Sequence, residues 1–168
     1  DKHRGPGGVA GIVKDGRIIA TRAWGYSNLS NHQAMTENTR LPICSISKQF
    51  TCGVLLDKIA QIDSLDSRIK EFLPEFTGQL PTVKELCHNQ SGLRDYWALS
   101  ILQGATAEQT FERSDALPLL AKMKTGQFEP GTRYSYCNGN FRILSELIET
   151  ETGAPMEDLY FQSIWKPA

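Results

Sequence analysis

Residues 44–52 read Cys-Ser-Ile-Ser-Lys-Gln-Phe-Thr-Cys, and this stretch decides the predicted fold. Its apolar spacing predicts a helix over residues 45–62, with i, i+4 positions at Ile46, Phe50 and Val54. Ser45 and Lys48 lie three residues apart at the start of that helix, so they share one face and can touch. A serine hydroxyl becomes a nucleophile when a neighbouring base or positive charge helps to remove its proton. The pair is therefore a candidate for a nucleophilic serine, but a helix cap beside a solvated lysine explains the motif better when it is taken alone.

A second polar cluster lies far downstream, where residues 134–140 read Tyr-Ser-Tyr-Cys-Asn-Gly-Asn after a Pro-Gly turn at 130–131. Tyr136 and Asn138 place a phenol and an amide close together on a predicted loop. The phenol can relay a proton to or from a serine or a leaving group, and the amide can hold a lysine and a substrate carbonyl. Taken alone, Tyr136 is also explained as a loop anchor with a buried ring.

Together, the two motifs resemble the first two signatures of the serine β-lactamase and penicillin-recognising enzyme family, in which Ser-x-x-Lys precedes Tyr-x-Asn. Here they stand as Ser45-x-x-Lys48 and Tyr136-x-Asn138. Further stretches follow the order of that family, namely residues 65–66, 72–76, 86–93 and 128–131. The resemblance therefore covers nearly all of the chain.

The resemblance implies an α/β (α+β) fold of the β-lactamase and transpeptidase type. An antiparallel sheet, begun by a hairpin, is expected to pack on the helices that carry Ser45 and Asn140. An all-helical subdomain is expected from about 63 to 127. Residues 1–168 are then the N-terminal part of a single catalytic domain whose C-terminal remainder is absent from the chain.

Local patterns predict the remaining elements. Residues 9–13 and 17–26 flank Asp15-Gly16, a pair typical of a β-hairpin turn. A proline-broken, loop-rich stretch is predicted around 72–76. Helices are predicted over four segments, with the fourth stopped by Gly153 and a further helix from residue 156 towards the end: 82–89, 106–112, 115–123 and 140–152.

A narrower resemblance, to the D-aminopeptidase branch of the family, is carried by residues 41–52, 89–99 and 134–144. Many relatives carry His-Thr-Ser-Gly where residues 89–92 read Asn-Gln-Ser-Gly, and this departure favours that branch. The resemblance implies a serine hydrolase that releases N-terminal D-amino acids, such as D-alanine, from short peptides, amides or esters. No cofactor and no metal are expected.

The resemblance also implies roles for the four side chains. Ser45 attacks the carbonyl of the N-terminal residue, and water later hydrolyses the resulting ester. Lys48 and Tyr136 share the proton transfers, and which of them is the base in each step stays open. Asn138 orients Lys48 and binds the substrate. The backbone N–H of Ser45 donates one of the two hydrogen bonds to the oxyanion.

The family's third motif, His-x-Gly or Lys-Thr-Gly, belongs on a strand downstream of the Tyr-x-Asn loop. Two literal matches are rejected on their order, because residues 3–5 precede the first predicted strand and residues 124–126 precede Tyr136. The expected partner of the chain is therefore the missing C-terminal half of the same polypeptide. Residues 1–168 alone are expected to be inactive and poorly stable, because one oxyanion donor and half of the sheet are lacking.

Two other functions stay open. One is an esterase, a β-lactamase or a D,D-peptidase on the same scaffold. The other is a non-catalytic, penicillin-binding-like sensor, against which the intact proton-transfer groups argue.

Two segments also keep two interpretations. In one interpretation, residues 94–97 (Arg-Asp-Tyr-Trp) line the cleft. In the other, Trp97 is a packing residue, and Arg94 and Asp95 form a local ion pair. Residues 157–163 are an engineered protease site or part of the last helix.

Composition excludes several classes of protein. With 18 basic and 19 acidic side chains, the net charge of −1 favours neither nucleic acid nor a membrane surface. No apolar run is long enough for a membrane helix.

The chain has four cysteines, at Cys44, Cys52, Cys87 and Cys137, and they form no Cys-x-x-Cys pair. They are expected to be reduced, which favours the cytoplasm and leaves the periplasm open. The oligomeric state is open, with a homodimer among the options.

Overall fold

The structure is a computed structural model that describes residues 5–106 and 112–167. The chain folds as two compact units, Asp1–Cys44 and Ser45–Ala168. The first unit contains the strands, and the regular structure of the second is helical throughout its described residues. The predicted helix over 106–112 falls largely outside the described residues.

The first unit is built on a β-hairpin. Strands β1 (Gly8–Lys14) and β2 (Arg17–Trp24) pair antiparallel, and the register shifts between Ile12 and Val13. Asp15 and Gly16 connect them with φ values of 50° and 71°. A two-residue hairpin turn with both φ values positive matches the right-handed twist of the strands, so the predicted hairpin is confirmed. Two short strands, β3 (Tyr26–Asn28) and β4 (Gln33–Ala34), form a second antiparallel pair.

The hairpin leaves its large apolar side chains exposed, between 58% and 69% of each: Ile12, Val13, Ile18 and Ile19. Successive residues of a strand point to opposite faces, so both faces of the hairpin carry apolar side chains. A two-stranded sheet is too small to bury such faces by itself.

Among its described residues, the second unit contains six α-helices: α1 (Ser47–Lys58), α2 (Val83–Cys87), α3 (Tyr96–Leu102), α4 (Ala116–Ala121), α5 (Asn138–Thr152) and α6 (Met156–Tyr160). The chain also forms 3-10 segments at Cys44–Ile46, Ile62–Glu71 and Arg113–Asp115, and a π-helical turn at Phe161–Trp165.

Helix α5 lies at the centre of the second unit and contacts all the other α-helices as well as the Ile62–Glu71 segment. Its buried residues recur at helical spacing: Ile143, Leu144, Leu147 and Ile148. They join one apolar core with Val54 and Leu55 of α1, Leu65 and Ile69 of the 3-10 helix, and Val83 and Leu86 of α2. Gly153 ends α5 in the left-handed region at φ 67°, as its position in the sequence predicts.

Several predicted boundaries are wrong. Helix α1 ends at Lys58, because Ile59 is extended, and a 3-10 turn precedes it in which Ile46 is exposed rather than packed. Helix α5 begins at Asn138, two residues before its predicted start, so Asn138 is a helical residue and not part of a loop. The last helix continues as a π-helical turn and stops at Trp165.

Two helical segments were not predicted. Every residue of α3 except Ser100 is apolar or aromatic, so the segment shows no helical alternation of polar and apolar residues. Asp95 caps it by accepting the Trp97 N–H at 2.8 Å. The 3-10 helix Ile62–Glu71 buries only Leu65 and Ile69. Its Asp66 accepts the Val83 N–H at 2.7 Å, so a contact outside the segment helps to hold it.

The central position of α5 makes Leu147 a sensitive site. Leu147 is 0% exposed, so Leu147→Ala is expected to lower the free energy of unfolding by about 2–5 kcal/mol through lost burial and a residual cavity. Urea unfolding measures the difference. Leu102→Ala, at a side chain that is 83% exposed, is the control and should change it by less than about 0.5 kcal/mol. Equal losses in the two variants would contradict the assignment of the core.

Candidate active site

Ser45 and Lys48 meet at the start of α1. Ser45 lies in the 3-10 turn, Lys48 is the second residue of the helix, and the Lys48 Nζ donates a hydrogen bond to the Ser45 Oγ at 3.0 Å. The three-residue spacing that the sequence shows thus becomes a direct contact. Ser45 is exposed and Lys48 is half-buried, so a substrate can approach the hydroxyl while the ammonium is partly shielded from water.

Tyr136, which lies 91 residues further along the chain, contacts the same hydroxyl. Its Oη lies 2.5 Å from the Ser45 Oγ, and its ring centroid is 4.8 Å from the Lys48 Nζ. The ammonium therefore gains a cation–π contact as well as a hydrogen bond. The alternative in which Tyr136 is only a buried loop anchor is wrong, because its ring is 42% exposed and its hydroxyl contacts Ser45.

Asn138 completes the cluster from the first turn of α5. Its Oδ1 accepts hydrogen bonds from the Lys48 Nζ at 2.9 Å and from the Tyr136 Oη at 3.2 Å. The structure therefore brings all four side chains predicted from the sequence into one hydrogen-bonded group. We call Ser45, Lys48, Tyr136 and Asn138 the quartet.

The quartet supports a continuous path of donors and acceptors. When the Tyr136 hydroxyl donates to Asn138, its oxygen is left to accept a hydrogen bond from the Ser45 hydroxyl, while Lys48 donates to the Ser45 Oγ. A nucleophilic serine needs such an acceptor for its proton and a nearby positive charge for its developing negative charge. The arrangement therefore provides a candidate nucleophile, a hydrogen-bond acceptor for its hydroxyl and a nearby positive charge.

Comparison with known proteins agrees with this geometry. The Beta-lactamase family matches residues 1–168. The chain belongs to the Beta-lactamase family. A D-aminopeptidase of Cereibacter sphaeroides (strain ATCC 17029 / ATH 2.4.9) is 65% identical over 165 residues, which are 98% of this chain and 32% of that protein. The D-aminopeptidase of Brucella anthropi is 51% identical over 166 residues, covering 99% of this chain and 32% of that protein.

A solved structure shows the same fold at lower identity. The penicillin-binding protein homologue from Pyrococcus abyssi superposes with a TM-score of 0.75 at 22% identity, over 96% of this chain and 39% of that one. The predicted fold class is thus confirmed, and so is the predicted resemblance to D-aminopeptidases of the Beta-lactamase family. The chain spans about a third, 32%, of the length of the D-aminopeptidases it matches.

A buried polar network holds the segment that carries Tyr136 and Asn138. Asn89, at φ 55°, accepts the Ser135 N–H on its carbonyl at 2.8 Å, and accepts the Cys137 N–H on its Oδ1 at 3.1 Å. The Asn140 Nδ2 donates to the same Oδ1 at 3.3 Å, and the Ser91 Oγ donates to the Asn140 Oδ1 at 2.7 Å. Asparagine tolerates the left-handed backbone that residue 89 adopts. The stretch that marks the D-aminopeptidase branch in the sequence thus anchors the segment that carries Tyr136.

The sequence left two interpretations of Asp95 open and did not place it at the quartet. The predicted alternative of a local ion pair with Arg94 is not what these residues form, because Arg94 donates to the Thr125 carbonyl and Asp95 contacts Asn138. The Asp95 Oδ2 accepts both the backbone N–H and the side-chain Nδ2 of Asn138, each at 2.8 Å. The contact of Asp95 with Asn138 could not be predicted from the sequence, because it depends on tertiary structure. The only local feature that marks Asp95 is its cap position before α3.

The four cysteines are free thiols. Cys44 is exposed, Cys52 and Cys87 are half-buried, and Cys137 is buried between the two site residues that flank it in sequence. A hydrogen bond from the Cys87 thiol lowers the pKa of Cys52 to about 7, and burial raises the pKa of Cys137 to about 11.

Within residues 5–106 and 112–167, no three His, Cys, Asp or Glu side chains lie together in a way that would hold a metal ion. No helix in that part of the chain has the length and apolar character needed to cross a membrane.

The Asn89 network is expected to contribute strongly to stability. Asn140→Leu keeps the approximate volume but leaves the buried Ser91 hydroxyl and the side-chain Oδ1 of Asn89 without this partner. The free energy of unfolding should therefore fall by about 3 kcal/mol. Urea unfolding of the variant tests this. Thr150→Ala removes a side-chain hydrogen bond from an exposed position on the same helix and should change the free energy by less than about 0.5 kcal/mol. A mild effect of Asn140→Leu would show that the network is not needed for the fold.

Burial of the Cys137 thiol predicts a loss of stability at alkaline pH. The unfolded thiol ionises near its ordinary pKa of 9.0, whereas the folded thiol keeps its proton up to about 11. The unfolded state therefore binds fewer protons in that interval, and the free energy of unfolding should fall by about 2–3 kcal/mol between pH 9 and pH 11. Urea unfolding at a series of pH values, compared with Cys137→Ala, isolates this contribution. Parallel pH dependences in the two proteins would contradict it.

Proposed function

We propose that the chain is the nucleophile-bearing part of a serine hydrolase that releases N-terminal D-amino acids, such as D-alanine, from short peptides, amides or esters. The observation that carries the proposal is the hydrogen-bonded quartet at Ser45. The 65% identity to an enzyme named D-aminopeptidase supports the choice of substrate class.

In the proposed acylation step, the Ser45 Oγ attacks the carbonyl carbon of the N-terminal residue. The Ser45 proton passes to Tyr136 as a phenolate or to Lys48 as a neutral amine, and the carbonyl oxygen becomes an oxyanion that the Ser45 backbone N–H helps to stabilise. Collapse of the tetrahedral intermediate breaks the C–N bond, and the leaving amine takes up the proton. The shortened peptide departs, and the D-residue stays bound to Ser45 as an ester.

In the proposed deacylation step, water attacks the ester and gives its proton back through the same groups. Ser45 recovers its hydrogen and the free D-amino acid is released. Asn138 keeps Lys48 and Tyr136 in position during both steps, because its Oδ1 accepts a hydrogen bond from each of them. No metal or organic cofactor is needed for either step.

We further propose that these residues act within a longer polypeptide, since the matched D-aminopeptidases extend well beyond the 32% of their length that the chain spans. A downstream His-x-Gly or Lys-Thr-Gly strand would supply the other oxyanion donor and one wall of the cleft. A carboxylate for the substrate's ammonium would also lie there or elsewhere outside the chain. The free thiols support a cytoplasmic location.

The proposal is tested with the full-length polypeptide that contains this chain. D-alanine p-nitroanilide should be hydrolysed much faster than its L-enantiomer. Ser45→Ala should lower kcat/KM by at least about 10³-fold without changing thermal stability, because the nucleophile is lost while its surroundings stay. Ser47→Ala, at the neighbouring serine, is the matched control and should retain turnover.

Other outcomes would assign a different function. Hydrolysis of a chromogenic cephalosporin or of a short-chain ester, without amide turnover, would favour a β-lactamase or an esterase on this scaffold. Stoichiometric labelling of Ser45 with no turnover would favour a penicillin-binding-like sensor. Amide turnover that survives in Ser45→Ala would overturn the assignment of the nucleophile.

A further inference from the structure

Asp95 connects two elements that meet at the quartet. It is half-buried and stands immediately before α3, where its Oδ1 accepts the Trp97 N–H at 2.8 Å. Its other oxygen, Oδ2, accepts two hydrogen bonds from Asn138, one from the backbone N–H and one from the side-chain Nδ2. One carboxylate thus caps α3 and holds the first residue of α5.

The chemistry of the neighbours determines the orientation of the Asn138 amide. An ammonium has hydrogens to donate and no lone pair to accept with, whereas a carboxylate accepts only. Lys48 lies 2.9 Å from the Asn138 Oδ1, and Asp95 lies 2.8 Å from the Asn138 Nδ2. Rotating the amide by half a turn would set its NH₂ against the ammonium and its oxygen against the carboxylate.

From this arrangement we propose that Asp95 is a positioning residue for the acyl-transfer reaction: it locks the Asn138 amide with Oδ1 towards Lys48 and Tyr136. The inference rests on the proposed function, since it assigns Asp95 to the same site. Asp95 does not touch Ser45 in this role and acts only through Asn138.

A capping role alone does not account for aspartate at this position. Serine and asparagine cap helices about as well as aspartate, because one oxygen acceptor is enough. Only a carboxylate offers a second oxygen that can accept both Asn138 hydrogen bonds while the first one caps α3. Asp95→Asn and Asp95→Ser therefore keep the cap and remove the restraint on Asn138.

The restraint should matter most when the leaving group needs a proton. Hydrolysis of a p-nitroanilide requires protonation of the departing nitrogen, which depends on the positions of Lys48 and Tyr136. A p-nitrophenolate leaves as the anion and needs no such proton. Loss of the Asn138 restraint should therefore slow anilide hydrolysis more than hydrolysis of a p-nitrophenyl ester.

The test compares D-alanine p-nitroanilide with p-nitrophenyl acetate in the full-length protein. Asp95→Asn and Asp95→Ser should lower kcat for the anilide by about 10-fold to 100-fold and leave KM nearly unchanged, since a small displacement of catalytic groups has effects of this size. Turnover of the ester should stay within a few-fold of wild type. Asp66→Asn is the matched control, because Asp66 accepts the Val83 N–H near the start of α2 and has no contact with the quartet.

A second measurement does not depend on turnover. The side-chain NH₂ of Asn138 should show slowed rotation and hydrogen exchange by NMR in the wild type and in Asp66→Asn, and fast rotation and exchange in both Asp95 variants. Unchanged Asn138 signals in the Asp95 variants would overturn the proposal even if the substrate class were wrong. Equal losses on the anilide and the ester, tracking the folded fraction, would overturn it by showing that Asp95 acts on stability alone. Absence of all turnover in the wild type, with the NMR result as expected, would reject the proposed function and retain the positioning of Asn138.

Discussion

The site depends on the anchoring of residues 135–137 to Asn89. Two backbone N–H groups of this segment donate to Asn89, which is itself held by Asn140 on α5 and is nearly excluded from water. Hydrogen bonds in such an environment are costly to leave unmade, so the segment has one favoured position. That position carries the Tyr136 hydroxyl to 2.5 Å from the Ser45 Oγ.

Helix α5 carries both a residue of the candidate site and the central residues of the apolar core. Its first residue is Asn138, its third residue belongs to the buried polar network, and the following turns supply the central apolar residues. Displacement of the helix would therefore disturb both the packing of the core and the position of Asn138 beside Lys48. This arrangement follows a general logic in which rigid secondary structure positions side chains more precisely than loops do.

The quartet is held by complementary donors and acceptors rather than by charge pairing. Lys48 has no carboxylate among its described partners at the site and instead bonds to a hydroxyl and an amide oxygen, with aromatic rings nearby. The Asp95 carboxylate is connected to Lys48 through Asn138, which contacts both. Lys48 is thus held close to the Ser45 hydroxyl by uncharged groups.

The sequence alone determined the features that depend on local spacing or local backbone preference. Ser45 and Lys48 meet because residues three apart share a helix face, Asp15-Gly16 turns because both residues tolerate positive φ, and α5 stops at Gly153 for the same reason. The family motifs added Tyr136 and Asn138, although their contacts with Ser45 and Lys48 required the fold. Only the tertiary structure decided that Asp95 holds Asn138 and that Asn89 holds Cys137, because these hydrogen bonds join segments that are remote in sequence and leave no periodic pattern.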